Sequence, residues 1–191
     1  MKPFIRQLAT ALSVLLLGAA FVFHIGGKQF EYQVETVIEG TTVEQVRSIL
    51  TNPVSQAEWN KDFVYQREQD KDQQKTVGAT AQIVVKEEGR EAELKNEYLA
   101  TSDSSLTVKT ISDDTEDVTV WKFVDEGDLT VRIRRLTIAN FKGWHRFKAP
   151  FNKQGVEAQF QKDLARLKRF IETGSPEEPR NQAASEDATN G

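Results

Sequence analysis

Few side chains in this sequence can make or break bonds, and their types decide what chemistry is open. The 191-residue chain has no Cys and two His. Thiolate nucleophiles, thiolate metal sites and disulfides are therefore excluded. His24 lies inside an apolar run. His145 stands beside Trp144, with no second His and no carboxylate close behind it, so no metal site is expected. A Ser-His-Asp relay gains no support, because no Gly-x-Ser-x-Gly turn presents a nucleophile. A glycine-rich phosphate loop is also missing. The net charge of −4 argues against a general nucleic-acid binder, whose footprint would be basic. Composition thus points away from an enzyme, and no cofactor is expected.

What the chain does offer is rings. The residues marked as candidate ligand contacts are Trp59, Tyr98, Trp121, Phe123, Phe141, Trp144 and Phe160, with Leu164 beside them. Aromatic side chains bring large apolar area and, in Trp and Tyr, a polar handle, which suits a pocket for an apolar guest. For any one of these rings, packing in the core is the simpler role. The stretch Asn140–Phe151 differs from the others. It alternates Phe141, Trp144, Phe147 and Phe151 with Lys142, Arg146 and Lys148, a combination that suits a membrane interface; the plainer alternative is a folded connector whose aromatics plug the base of the helix that follows.

These residues need elements to position them. Phe30–Glu39 reads as a first strand, with Tyr32, Val34 and Thr36 on one face. Thr42 followed by Gln45 matches a capping box, and Val43, Val46, Ile49 and Leu50 form the stripe of a short amphipathic helix. Asn52-Pro53 ends it, and an irregular or helical turn carries Trp59. Six strand-like runs follow, at 62–68, 79–87, 91–100, 105–112, 117–124 and 129–139, separated by polar turn clusters at the spacing of an antiparallel meander. Glu88-Gly89 and Gly127-Asp128 read as tight hairpins. In the strand 91–100, Leu94, Asn96 and Tyr98 share a face. In 117–124, Val118, Val120 and Val124 oppose Trp121 and Phe123, so both faces should be covered. In 129–139, Leu129, Val131 and Ile133 oppose Thr130, Arg132 and Arg134; the apolar parity then changes at Leu136 and Ile138, which predicts a β-bulge at Arg134-Arg135. Finally, Val156, Phe160, Leu164, Leu167 and Ile171 mark one face of a long helix, stopped by Gly174.

The two ends differ from this middle. Leu8–Ile25 carries no charge, and eighteen residues at helical rise cover about 27 Å, close to a bilayer's hydrocarbon core. Lys2 and Arg6 precede it, which places the N-terminus inside and the domain outside. Gly18-Ala19-Ala20 offers a cleavage site, but the run continues through Phe21-Val22-Phe23, so an uncleaved signal anchor is expected. Residues 1–27 are thus read as a single transmembrane segment, 28–174 as one folded domain, and 175–191 as a disordered acidic tail.

The order of elements resembles the helix-grip fold of the START-like, or SRPBCC, superfamily, the polyketide cyclase/dehydrase and lipid-transport group. The residues that carry the resemblance are Glu35–Leu50, Trp59-Asn60, Val118–Phe123 and Val156–Glu172, and together they span about residues 30 to 173. The resemblance implies an α+β fold in which a curved antiparallel sheet of about seven strands grips the C-terminal helix. It also implies an apolar cavity between the two. In the family's cyclising members polar cavity residues act on the substrate, which here would nominate Tyr98, Glu97, Arg132 and Arg134. The simpler place for Arg132 and Arg134 is in solvent, paired with carboxylates of a neighbouring strand. The function expected is membrane-tethered binding or transfer of a hydrophobic small molecule, a lipid, quinone or similar, on the periplasmic side of a bacterial inner membrane. The alternatives are a protein-interaction or assembly module without ligand, with a membrane-protein partner, and then a cyclase- or dehydratase-type enzyme.

Overall fold

The computed structural model describes residues 29–67, 77–87 and 89–176. The expected membrane anchor at residues 1–27 and most of the expected acidic tail lie outside the described residues. Among those described, no helix is long and apolar enough to cross a membrane.

Seven strands form one antiparallel sheet in the order β1-β7-β6-β5-β4-β3-β2. They are β1 (Phe30–Ile38), β2 (Phe63–Arg67), β3 (Thr80–Glu87), β4 (Arg90–Ser102), β5 (Ser105–Ile111), β6 (Thr115–Gly127) and β7 (Thr130–Phe141). Helices α1 (Val43–Thr51) and α2 (Pro53–Trp59) connect β1 to β2, and α3 (His145–Lys148) with a 3₁₀ turn at Ala149–Phe151 leads into α4 (Lys153–Thr173). The long C-terminal helix packs against the sheet, as a helix grip requires.

Local chemistry accounts for each element. The Thr42 hydroxyl accepts from the Gln45 N–H at 3.3 Å, and the Gln45 side chain accepts from the Thr42 N–H at 3.0 Å. This capping box satisfies two of the donors that an α-helix leaves open at its start. Asn52 closes α1 and opens α2, its side chain accepting from the Val54 N–H at 2.9 Å, with Pro53 at the first helical position. The segment bearing Trp59 is therefore a true helix, and it turns the ring inward to 7% exposure. On α4, Leu164 and Leu167 are 1% and 0% exposed. Gly174 ends the helix with φ +73°, the left-handed cap that glycine adopts at no steric cost.

Helix α4 also closes the open edge of β1. The Gln161 side chain donates to the Glu35 carbonyl at 3.3 Å, and the Glu39 N–H donates to Glu172 at 3.1 Å. An edge strand with unmade backbone bonds invites unwanted pairing, and this contact removes part of that liability.

Three expectations are corrected. First, β7 has no bulge at Arg134-Arg135. Its pairing runs unbroken on both sides, with Val34 and Trp121 opposite Arg135. A bulge would disrupt two ladders at once, so Leu136 and Ile138 lie on the outer face and Arg135 turns inward. Second, Leu129 belongs to the turn, not to the strand's inner face. It has φ +56° and is 60% exposed, and the register irregularity falls at Asp125/Gly127 instead. Third, Trp121 and Phe123 face the core, while Val124 on the opposite side is 52% exposed, so the outer face is only partly covered. Arg132 and Arg134 lie on that outer face, where Arg134 sits 3.1 Å from Glu35 and Arg132 bonds Glu126 at 2.6 Å.

Candidate functional site

The inner face of the sheet is apolar at one end and polar at the other. Residues two apart on a strand share a face. On β6 the inward residues are Asp117, Thr119, Trp121 and Phe123; on β7 they are Ile133, Arg135, Thr137 and Ala139. The register pairs Phe123 with Ile133, Trp121 with Arg135 and Thr119 with Thr137. Tyr32 of β1 stands across Thr137 on its other side. Polar residues thus continue from β4 to β1: Thr110 donates to Asn96 at 2.8 Å, and the hydroxyls of Thr119 and Thr137 bond each other at 3.0 Å.

Helix α4 lays Phe160 and Asp163 over this polar end. The Arg135 guanidinium stacks on Phe160, 3.7 Å from the ring centroid, and reaches within 5.3 Å of the Trp121 ring. Its Nε donates to the Thr137 hydroxyl at 3.3 Å. Ring faces attract a cation most strongly where water is displaced. The Tyr32 ring meets Phe160 edge-on at 5.9 Å, and Tyr32 is 1% exposed.

Burial dominates the electrostatics. It pushes the Asp117 carboxyl up to about 6, against the opposing pull of Arg135 and a hydrogen bond from Thr115. It pushes Arg135 down to about 10, with Asp163 and then Asp117 holding the guanidinium charged. Burial also raises Asp163, which Arg135 partly offsets. Tyr32 is raised by burial and then by the carboxylates of Asp117 and Glu157. One cation thus faces two carboxyls whose ionised forms burial disfavours. Among the described residues, four buried side-chain atoms have no hydrogen-bond partner: the Tyr32 hydroxyl and Asp117 Oδ1 in this polar cluster, and Trp59 Nε1 and Arg166 Nη1. An unmet buried polar atom costs on the order of 1–3 kcal/mol, so such atoms are uncommon unless something else meets them.

The eight ring and leucine positions marked from the sequence divide. Trp59, Tyr98, Phe123 and Leu164 are buried in one cluster, and Trp121 and Phe160 pack against it. Phe141 lies apart, edge-on to Phe30 at 5.8 Å. Trp144 is 68% exposed and touches Phe147, ring centroids 5.2 Å apart. Of the polar candidates, Tyr98 points inward and is pushed up by burial, while Arg132 and Arg134 point out. His145 sits 3.5 Å from Asp114 on the surface. The residues that sequence reasoning missed are Tyr32, Asp117, Arg135 and Asp163. Strict alternation from Val131 and Ile133 would have found Arg135; the apolar pair Leu136 and Ile138 drew the count off by one. A groove of about 970 Å³ also runs along the exposed side of α4, but it contains none of these cluster residues.

No family model matches the sequence, and no curated protein does. Solved structures match its shape. A START superfamily protein from Mycobacterium smegmatis superposes with TM-score 0.59 at 12% identity, covering 76% of this chain and 97% of that one. A protein from Chromobacterium violaceum gives TM-score 0.60 at 14% identity, covering 74% and 96%. The di-domain ARO/CYC BexL from the BE-7585A biosynthetic pathway gives 0.62 at 12% identity, covering 75% of this chain and 46% of that one. At such identities the likeness defines the fold alone: the chain shares with these structures an antiparallel sheet packed on a long C-terminal helix.

Proposed function

We propose that the protein binds or carries an apolar small molecule, such as a lipid or quinone, in the grip between sheet and α4, beside a membrane to which residues 1–27 tether it. The observation that carries this reading is the pair of unmet buried atoms, the Tyr32 hydroxyl and Asp117 Oδ1, next to a guanidinium stacked on Phe160. Small-molecule sites are mostly apolar with a few placed polar groups that fix orientation. Here the apolar part is the cluster of Trp59, Tyr98, Phe123 and Leu164, and the polar part is Tyr32, Asp117 and Arg135. A tether keeps the site at high local concentration near a bilayer-dissolved guest. The test is to incubate the purified full chain with a total lipid extract, repurify it, and identify extracted small molecules by mass spectrometry. Enrichment of one class near one molecule per chain supports the reading. Recovery of the bulk lipid mixture, unchanged in proportion, removes it.

A second reading has its own support. Trp59, Tyr98, Phe123 and Leu164 are each at most 8% exposed and pack as core. A grip filled by its own side chains suits a module that binds a protein partner. In that case the same experiment recovers no enriched small molecule.

A further inference from the structure

We propose that the segment from Lys142 to Lys153 docks this end of the domain onto an anionic lipid surface. Charge is the first observation. From Phe141 to Val156 the chain has Lys142, Arg146, Lys148 and Lys153 and no Asp or Glu, although its net charge is −4. Four of the 25 Lys and Arg therefore lie on a short stretch that carries no acidic side chain of its own. Exposure is the second. Phe151 and Trp144 are 82% and 68% exposed, large rings held in water. They are held in place: the Phe147 N–H donates to the Trp144 carbonyl at 3.1 Å, the Asn152 N–H to the Ala149 carbonyl at 3.1 Å, and Ala149 is 5% exposed, seated in the body. Trp and Phe beside Lys and Arg match the headgroup region, where rings enter the boundary and cations meet anionic lipid.

Position is the third observation. Phe30, the first residue of β1, packs on Phe141, so the chain enters the domain at the same end as this segment. Ile25, the last residue of the apolar run, precedes Phe30 by five residues, which reach at most about 18 Å. Nearby acidic groups offset part of the patch, and Glu116 also lies near Lys142. Asp114 is turned to His145 at 3.5 Å, and Glu157 to Lys153 at 3.8 Å. Lys142 is fixed to the Ser112 carbonyl at 2.9 Å, which aims part of the patch. The occupant that these features fit is a bilayer carrying anionic headgroups. The inference goes beyond ligand binding and stands whether or not the grip holds a guest.

The test uses the full chain in nanodiscs of phosphatidylcholine, with and without phosphatidylglycerol, with lipids brominated near the headgroup end of the acyl chain. Bromine quenches tryptophan only at close range, and Trp144→Phe identifies the part of the signal that belongs to this residue. In anionic discs Trp144 should be quenched. Lys148→Gln with Lys153→Gln should lower the docking constant about thirty-fold, each lost cation being worth about five-fold. Far-ultraviolet circular dichroism confirms that the variants remain folded. Absence of Trp144 quenching in anionic discs would overturn the proposal, as would quenching that ignores both lipid charge and the double substitution. If the chain fails to enter discs, the tether falls separately, and the same quenching read on vesicles added to the free chain decides the docking.

Discussion

Replacing Asp117 by Asn tests whether the polar end of the grip is held at a cost to stability. In the folded protein the Asp117 carboxyl is raised from 3.8 to about 6, chiefly by burial. A carboxyl raised on folding binds its proton more tightly in the folded state. Its stabilising contribution is full below the unfolded value of 3.8, falls as pH rises, and is gone above about 6. The gap between those values corresponds to about 3 kcal/mol. Asn keeps the shape of the protonated acid and cannot ionise. Asp117→Asn should therefore stabilise the protein at about pH 8 by up to about 3 kcal/mol, and change it little at about pH 4. For a chain of this size that is a rise in Tm of about 6–12 °C at the higher pH. The assay is thermal or urea unfolding of both proteins across this range. If Asp117→Asn destabilises the protein at high pH and not at low pH, Asp117 serves as the ionised partner of Arg135, and the reading of an unmet, costly carboxyl is refuted.

Three further substitutions separate the remaining parts of the fold. Arg135→Met leaves Asp117 and Asp163 without their cation and should cost about 3–5 kcal/mol at high pH but less in acid, as urea unfolding at both conditions would show. Leu164→Ala, at a position 1% exposed beneath the grip, should cost about 2–5 kcal/mol in the same assay. Thr42→Ala removes one half of the capping box of α1 and should cost about 1 kcal/mol; no measurable loss would mean that packing of Val46 and Leu50 alone holds that helix.

Much of the architecture could be read from the sequence, for reasons that individual elements show. The α4 stripe of Phe160, Leu164, Leu167 and Ile171 repeats at helical spacing, and the burial of Leu164 and Leu167 follows from it. The Thr42–Gln45 pair is a local signal, and local signals survive folding. Strand faces were harder to assign. Leu94, Asn96 and Tyr98 share a face as alternation requires, and Asn96 bonds Thr110 on the neighbouring strand. On β7 the apolar Leu136 and Ile138 mimic a change of face. What fixes the face there is non-local: continuous pairing to β1 on one side and β6 on the other. The polar cluster was hidden for the same reason. An inward Arg is costly unless rings and carboxyls meet it, and Phe160, Trp121, Asp163 and Asp117 come from two separate elements that sequence spacing does not join.

The most direct test of the central claim is native mass spectrometry of the full chain, released from membranes purified without added lipid, beside Arg135→Met prepared in the same way. One apolar molecule of defined mass per wild-type chain, reduced in the variant while the variant remains folded, is the expected result. A wild-type chain found at its bare mass, or bound to another protein with no small molecule, would contradict it.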